Sequence, residues 1–248
     1  MSGWLEWLTE GTTATAVLAG ASHRGKLRDY NEDAFGCADD AKAAIVADGM
    51  GGLSRGDEAS REVVKYFLES CARGESPDTA MRNAHERIRA MSLEQTGSRM
   101  GSTAVSLQIS KSSAEIHWIG DSRAYLWRSR RLKQVTRDHS FVQELVDAGA
   151  LTQAEAELHP NRNVVTRAIG VRDSDSINVD SLSLKLWPGD RIVLCSDGLS
   201  GFLPEARIAE ILDRHEAPAD AASRLIDATV DETEAGDNVT VVVARISI

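Results

Sequence analysis

Residues 43–52 read AAIVADGMGG: five small or β-branched apolar residues, then Asp48 and a glycine-rich segment. An uninterrupted apolar run of this length predicts a buried strand that stops at the aspartate. The same pattern recurs as HWIGDSR at 117–123 and as IVLCSDG at 192–198. Three predicted strands therefore each end at an aspartate, which links the fold of this chain to an acidic site.

The order of predicted elements around these segments favours an α+β fold. Further strands are predicted from apolar or alternating runs at 13–19, 105–109, 116–118, 124–127, 131–135, 191–195 and 239–246. Helices are predicted from apolar spacing or N-cap patterns at 63–71, 76–91, 140–146, 152–155, 204–212 and 218–230. Strands that follow one another through short turns favour antiparallel pairing. We expect two sheets packed face to face, with helices outside.

Composition limits the classes of protein that this chain can be. Its 248 residues are enough to bury about 70% of the unfolded surface in one domain. Lys and Arg number 28 against 38 Asp and Glu, and this net charge of −10 argues against nucleic-acid binding. Its cysteines, Cys37, Cys71 and Cys195, are too far apart for a zinc motif or a disulfide scaffold, and Cys195 is expected in the core. Without a basic leader or long apolar run, we expect a cytoplasmic protein that contacts no membrane.

The aspartates at the strand ends are the main functional signal. Asp237 differs from the other three because it precedes its strand, 239–246. In an antiparallel sheet, the end of one strand and the start of its neighbour lie at the same edge. The carboxylates that this rule brings to one rim are Asp48, Asp121, Asp197 and Asp237, with Glu32 and Asp33 beside a further predicted strand.

Electrostatics decides what such a cluster requires. Two carboxylates about 5 Å apart repel each other by roughly 3 kcal/mol at an effective dielectric constant near 20. A domain of ordinary stability does not tolerate four of them ionised and unneutralised, so either some are protonated or divalent cations bind. An all-oxygen ligand set favours Mg²⁺ or Mn²⁺. The alternative for each Asp-Gly pair is an ordinary turn, in which the aspartate bonds its own backbone and the glycine supplies a positive φ.

Six segments taken together resemble the bacterial form of the metal-dependent Ser/Thr protein phosphatases, the type 2C family. In the family's order they are RDYNEDA at 28–34, DGMGG at 48–52, GSTA at 101–104, GDSR at 120–123, SDGL at 196–199 and GDNVT at 236–240. The resemblance extends over about residues 13–246. It implies a four-layer αββα sandwich, with two antiparallel sheets flanked by helices, as a single catalytic domain over 1–248.

The resemblance also implies a two-metal centre built with Mn²⁺ or Mg²⁺. Asp48 would bridge the two ions, and the Gly49 carbonyl would serve one of them through water. The other implied ligands are Asp197 and Asp237 for the first ion, Asp33 with Glu32 for the second, and Asp121 with Asp197 for a weaker third position. Arg28 would grip the substrate phosphate, for which a guanidinium fork is suited. Asn238 would orient its neighbours, and a metal-activated water would attack phosphorus without a covalent enzyme intermediate.

One departure from the family concerns the proton donor for the leaving group. Eukaryotic members carry a histidine directly after the Asp-Gly pair, whereas this chain has Met50, which cannot donate a proton. Two interpretations of His139 stay open: a general acid, or a local contact at the start of the helix that Ser140 caps.

The segment 148–170 corresponds to the family's variable flap, which is either a substrate-selecting element or a plain surface loop.

The function that these expectations favour is a phosphoprotein phosphatase that opposes a bacterial Ser/Thr kinase, acting as a monomer on phosphorylated proteins. The alternative is a catalytically silent phosphatase-like binding module, although such modules usually have broken carboxylate sets. A metal-dependent nuclease conflicts with the acidic charge. The N-terminal apolar patch of Trp4, Leu5, Trp7 and Leu8 either docks on the domain or contacts a partner or a membrane.

Overall fold

The computed structural model describes residues 14–50, 55–94, 100–171 and 177–247. The N-terminal Trp4/Trp7 patch, together with Gly51 and Gly52 of the DGMGG segment, lies outside them. The strands are β1 Thr15–His23, β2 Asp33–Ala38, β3 Ala43–Met50, β4 Gly101–Ser102, β5 Ala104–Ser110, β6 Ser113–Ile119, β7 Arg123–Arg128, β8 Arg131–Gln134, β9 Asp180–Lys185, β10 Arg191–Cys195 and β11 Val239–Ser247. The helices are α1 Gly56–Ala72, α2 Pro77–Glu94, α3 Phe141–Asp147, α4 Gln153–Glu157, α5 Asp197–Ser200, α6 Glu205–Arg214 and α7 Pro218–Glu232.

The strands form two antiparallel sheets. The first sheet has the order β1-β11-β10-β7-β8, and the second has the order β2-β3-β5-β6-β9, with β4 paired to β3. The helices α1 and α2 cover the outer face of the second sheet, and α6 and α7 cover the outer face of the first. The predicted four-layer αββα sandwich is confirmed.

The segment AAIVA is apolar at every position because β3 is covered on both faces. Ile45 packs toward α1 and α2, whereas Ala44 and Val46 pack into the layer between the sheets. Strand β10 follows the same rule, since its Cys195 side chain is fully buried against the α6–α7 layer. The expectation that this cysteine fills the core is confirmed, and no cysteine in the described part of the chain is in a disulfide.

Several predicted boundaries shift in the structure. β1 continues to His23 instead of ending near residue 19, and β3 includes Asp48 and continues to Met50. Strand β9 was not predicted, although its sequence DSLSLK alternates polar and apolar residues in the manner of a half-buried strand. The Thr152 capping box is present with both of its hydrogen bonds, and Ser140 caps α3.

Strand register gathers the acidic residues at one rim. Asp33 of β2 lies opposite Asp48 of β3. Asp197 follows the end of β10, and Asp237 precedes the start of β11, which pairs with β10. Asp121 lies in the connection between β6 and β7. The antiparallel rule accounts for the pairs Asp33–Asp48 and Asp197–Asp237 within each sheet, and the stacking of the two sheets brings these pairs and Asp121 to the same rim. No helix among the described residues is both long and apolar enough to cross a bilayer.

Candidate metal centre

A cavity of about 360 Å³ opens at this rim of the sandwich. Six of the seven predicted metal ligands lie on its wall, and Asp33 is the exception. The residues that line the cavity are Arg28, Glu32, Asp48, Gly49, Met50, Thr103, Asp121, Asn163, Val165, Asp197, Asp237 and Asn238. The site is therefore strongly acidic, and Arg28 is its only basic lining residue in the described part of the chain.

Asp48 is held through its backbone by the GSTA segment. Its N–H donates to Thr103 Oγ1 (3.2 Å), and its carbonyl accepts from Thr103 N (2.8 Å) and Ser102 Oγ (3.0 Å). Thr103 Oγ1 in turn lies 2.7 Å from Ser122 Oγ. These hydrogen bonds involve only the backbone of Asp48, and they fix the position of this residue in the cavity wall. The motif match had included Ser102, Thr103 and Ser122, but no spacing rule indicated this role.

Asn238 and Arg28 organise the opposite wall. Asn238 Oδ1 accepts from Glu32 N (2.7 Å), while its Nδ2 donates to the carbonyls of Arg24 (2.9 Å) and Tyr30 (2.8 Å). The loop that carries Arg28 is thereby fixed, in agreement with the predicted orienting role. Arg28 Nη2 donates to Asp237 Oδ2 at 2.7 Å, and its side chain remains 51% exposed.

Glu32 and Asp33 lie in different surroundings although they are neighbours in sequence. Glu32 lines the cavity, and its Oε1 accepts from Gly56 N at the start of α1 (3.1 Å). Asp33 lies behind the wall, where its Oδ2 accepts from Ser196 Oγ (2.7 Å). Ser196 Oγ also accepts from Thr240 N (3.0 Å). Of the two acids, only Glu32 lines the cavity.

The buried carboxyls have raised pKa values. Burial away from water, with repulsion from Asp197 and Asp237, raises the pKa of Asp33 to about 7. Burial and the Asp237 charge raise the pKa of Asp197 to about 6. The pKa values of Asp48 and Asp121 are also raised well above the usual range, first by burial and then by neighbouring carboxylates. In the absence of cations the cluster therefore favours protonated acids at moderate pH.

The donor set fits divalent cations. Asp197 Oδ1 is buried and has no hydrogen-bond partner, which leaves a strong acceptor free to serve as a ligand. Carboxylate and carbonyl oxygens are the ligands that Mg²⁺ and Mn²⁺ prefer. In the present rotamers, no group of three or more His, Cys, Asp or Glu side chains within the described residues is arranged to hold an ion as it stands. Asp237 is turned to Arg28 instead, so its full participation requires that this pair separate.

The glycines after Asp48 and Asp197 are required by close packing. A Cβ at Gly49 would collide with the carbonyl oxygen of Gly56, and one at Gly198 would collide with that of Asn238. Neither glycine has a positive φ, so the ordinary-turn interpretation is wrong for these two pairs. Gly120, directly before Asp121, does have a φ of 104°, which favours glycine there.

His139 is not in the cavity wall. Its Nδ1 accepts from Gly120 N (3.1 Å), and its Nε2 lies 3.2 Å from Asp180 Oδ2. This contact spans distant parts of the chain, so the interpretation as a local contact at the helix start is wrong. Burial lowers the pKa of the ring.

The predicted flap contributes two residues to the cavity wall, Asn163 and Val165. The sequence indicated the flap only as a segment and did not single out these two residues.

Comparison with known proteins places the chain in a family. The sequence pattern described as "Protein phosphatase 2C" matches residues 19–232. The serine/threonine phosphatase Stp of Listeria welshimeri is 32% identical over 237 residues, which cover 90% of this chain and 92% of Stp. The serine/threonine protein phosphatase PstP of Mycobacterium tuberculosis is 36% identical over 94% of this chain and 46% of PstP. A crystal structure of a PstP catalytic domain with two manganese ions superposes with a TM-score of 0.85 at 32% identity, over 95% of this chain and 100% of that one. The chain therefore belongs to the protein phosphatase 2C family.

Proposed function

We infer that this protein is a metal-dependent serine/threonine protein phosphatase that hydrolyses phosphoserine and phosphothreonine. The observation that carries this inference is one cavity that combines a cluster of carboxylates with Arg28. Cations and a guanidinium are what a phosphate monoester dianion requires, whereas the acids alone would repel it. Relatives with phosphatase names, and a PstP domain crystallised with manganese, support the same function.

For the metal centre we propose two core Mn²⁺ or Mg²⁺ ions and a weaker third position. The proposed ligands are Glu32, Asp48, the Gly49 carbonyl, Asp121, Asp197 and Asp237, with Asp33 supporting from behind the wall. When bound, the ions would lower the pKa of a water and offset charge on the phosphoryl oxygens. Asp48 is central because its carboxyl interacts with those of Asp33, Asp121 and Asp197.

Arg28 would bind and orient the phosphate. Its guanidinium is at the cavity mouth, it is half-exposed, and one of its nitrogens is already occupied by Asp237. The remaining N–H groups can donate to two phosphate oxygens, which fixes the phosphorus relative to the carboxylate cluster.

The proton for the leaving oxygen comes from neither of the two residues considered for this role. Met50 has no acidic proton, and the ring of His139 is turned to Gly120 and Asp180.

We further propose that the chain is one catalytic domain over 1–248, acting as a cytoplasmic monomer on proteins phosphorylated by a partner Ser/Thr kinase. Residues 148–170 would form its flap, because Asn163 and Val165 of this segment border the cavity. This position beside the phosphate site suits an element that contacts the substrate protein.

The test of the proposed function is hydrolysis by purified protein of p-nitrophenyl phosphate and of a phosphothreonine peptide. We expect turnover with Mn²⁺ or Mg²⁺, none with excess EDTA, and recovery when Mn²⁺ is restored. A tyrosine-phosphorylated peptide of the same sequence serves as the specificity control. Metal-independent turnover, or none under any metal, would refute the proposal.

Arg28→Ala should lower kcat/KM for phosphate monoesters by about 10- to 100-fold, because charge-assisted hydrogen bonds to the phosphate are lost. Since Arg28 holds Asp237 in the free protein, its removal should leave Mn²⁺ affinity unchanged or tighter. Steady-state kinetics and calorimetric Mn²⁺ titration measure the two effects separately. Arg28→Lys should recover only part of the loss, because a lysine cannot present the planar fork. Weakened Mn²⁺ binding in Arg28→Ala would instead place Arg28 in the metal site.

A further inference from the structure

We propose that Leu27 and Tyr30, which lie on either side of Arg28 in sequence, form a docking surface for apolar side chains next to the phosphorylated residue of the substrate protein. The inference rests on the proposed phosphatase function and deepens it by assigning a preference for the substrate's sequence. Leu27 is 73% exposed and Tyr30 is 72% exposed. Isolated apolar residues on a protein surface are common and need no explanation. Two large exposed ones on either side of the arginine proposed to bind phosphate do need an explanation.

The backbone that carries these side chains is fixed. Arg24 Nη1 donates to the Arg28 carbonyl (2.9 Å), and Lys26 N donates to the Ala235 carbonyl (2.8 Å). The Tyr30 carbonyl accepts from Asn238 Nδ2 (2.8 Å). The loop is thus held at both ends while its apolar side chains point to solvent. A surface fixed in advance loses little conformational entropy when it binds a partner.

Leu27 has an apolar neighbour, Phe202, that borders a second cavity. Leu27 and Phe202 both lie against Gly236, next to Asp237. Phe202 also lines a groove of about 550 Å³, whose other residues are mostly polar and which shares Asp121 and Asp197 with the metal-centre wall. Leu27 and Phe202 thus lie beside the residue that precedes Asp237, which is hydrogen-bonded to Arg28. An apolar group that contacts them while Arg28 holds the phosphate belongs to the polypeptide that carries the phosphate.

The variants that test the surface are Leu27→Ser, Tyr30→Ser and the double variant. For a phosphothreonine peptide with leucine and valine flanking the phosphothreonine, we expect kcat/KM of the double variant to fall about tenfold or more, through lost apolar burial. The fall for p-nitrophenyl phosphate should be much smaller, because that substrate has no flanking residues. For a peptide with serines at the flanking positions, kcat/KM should be the same for the wild type and the double variant. Val17→Ser, at a 59% exposed apolar position on β1, is the matched control and should change neither substrate.

Each other outcome has a distinct meaning. Equal losses on both substrates would mean that the side chains only support the Arg28 loop, and no loss on the apolar-flanked peptide would mean that the substrate does not touch them. If the variants change the sedimentation of the protein and leave the peptide kinetics unaltered, the surface contacts a second copy, and the proposal is overturned. Wild-type protein that hydrolyses neither substrate would remove the proposed function itself, an outcome separate from a variant effect.

Discussion

Asp48→Asn should reduce phosphatase turnover by at least about 10³-fold at saturating Mn²⁺, while the variant remains folded. The substitution keeps the size of the side chain and removes its charge. The backbone hydrogen bonds to Ser102 and Thr103 do not involve the carboxylate, so the position of residue 48 should be preserved. What is lost is the carboxylate that lies among those of Asp33, Asp121 and Asp197.

The same variant should be at least as stable as the wild type without metal, because burial and like charges both disfavour an ionised Asp48. Measurement of kcat with both substrates, together with thermal unfolding in EDTA, separates catalysis from folding. Asp40→Asn provides the matched control, since Asp40 is exposed in the turn at the opposite end of the β2–β3 hairpin. Asp48→Asn activity within about tenfold of wild type would contradict the central role of this carboxylate.

The sequence was sufficient to predict the layers because the central strands are covered on both faces. Uninterrupted apolar runs such as AAIVA predict buried strands without knowledge of their partners. β9 was missed since its alternation is confined to six residues at the edge of the second sheet. β1 was cut short because Gly20, Ser22 and His23 interrupt the apolar pattern, although all of them pair with β11.

The candidate site was predictable to the level of the rim, but not to the level of individual side chains. Glu32 precedes β2 and lines the cavity, whereas Asp33 is the first residue of β2 and its carboxylate is held by Ser196. Both acids are adjacent in one short segment, so the sequence alone does not separate their surroundings. Likewise, the backbone anchor from Thr103 to Asp48 joins residues 55 positions apart and depends on packing that no local pattern encodes.

Without metal, the protein should lose stability as the pH rises from about 4 to about 8. The pKa of Asp33 is raised to about 7 and that of Asp197 to about 6, both mainly by burial. A carboxyl whose folded pKa exceeds its unfolded value near 4 favours folding fully below that value, and its contribution is lost as the pH rises through the folded pKa. Above about pH 7 the metal-free folded state must hold several buried carboxylates ionised against one another.

Divalent cations should offset this loss of stability at high pH. We expect Mn²⁺ to raise the melting temperature by about 10 °C at pH 8 and by much less at pH 5. Thermal unfolding between pH 5 and 8, in EDTA and in excess Mn²⁺, measures the difference. Asp48→Asn should show a flatter pH dependence in EDTA and a smaller Mn²⁺ effect, whereas Asp40→Asn should follow the wild type. A wild-type melting temperature in EDTA that rises steadily from pH 5 to 8 would show that the cluster is neutralised by the protein itself. Ionisation of the carboxyls would then not be linked to the binding of cations, and the proposed metal centre requires that link.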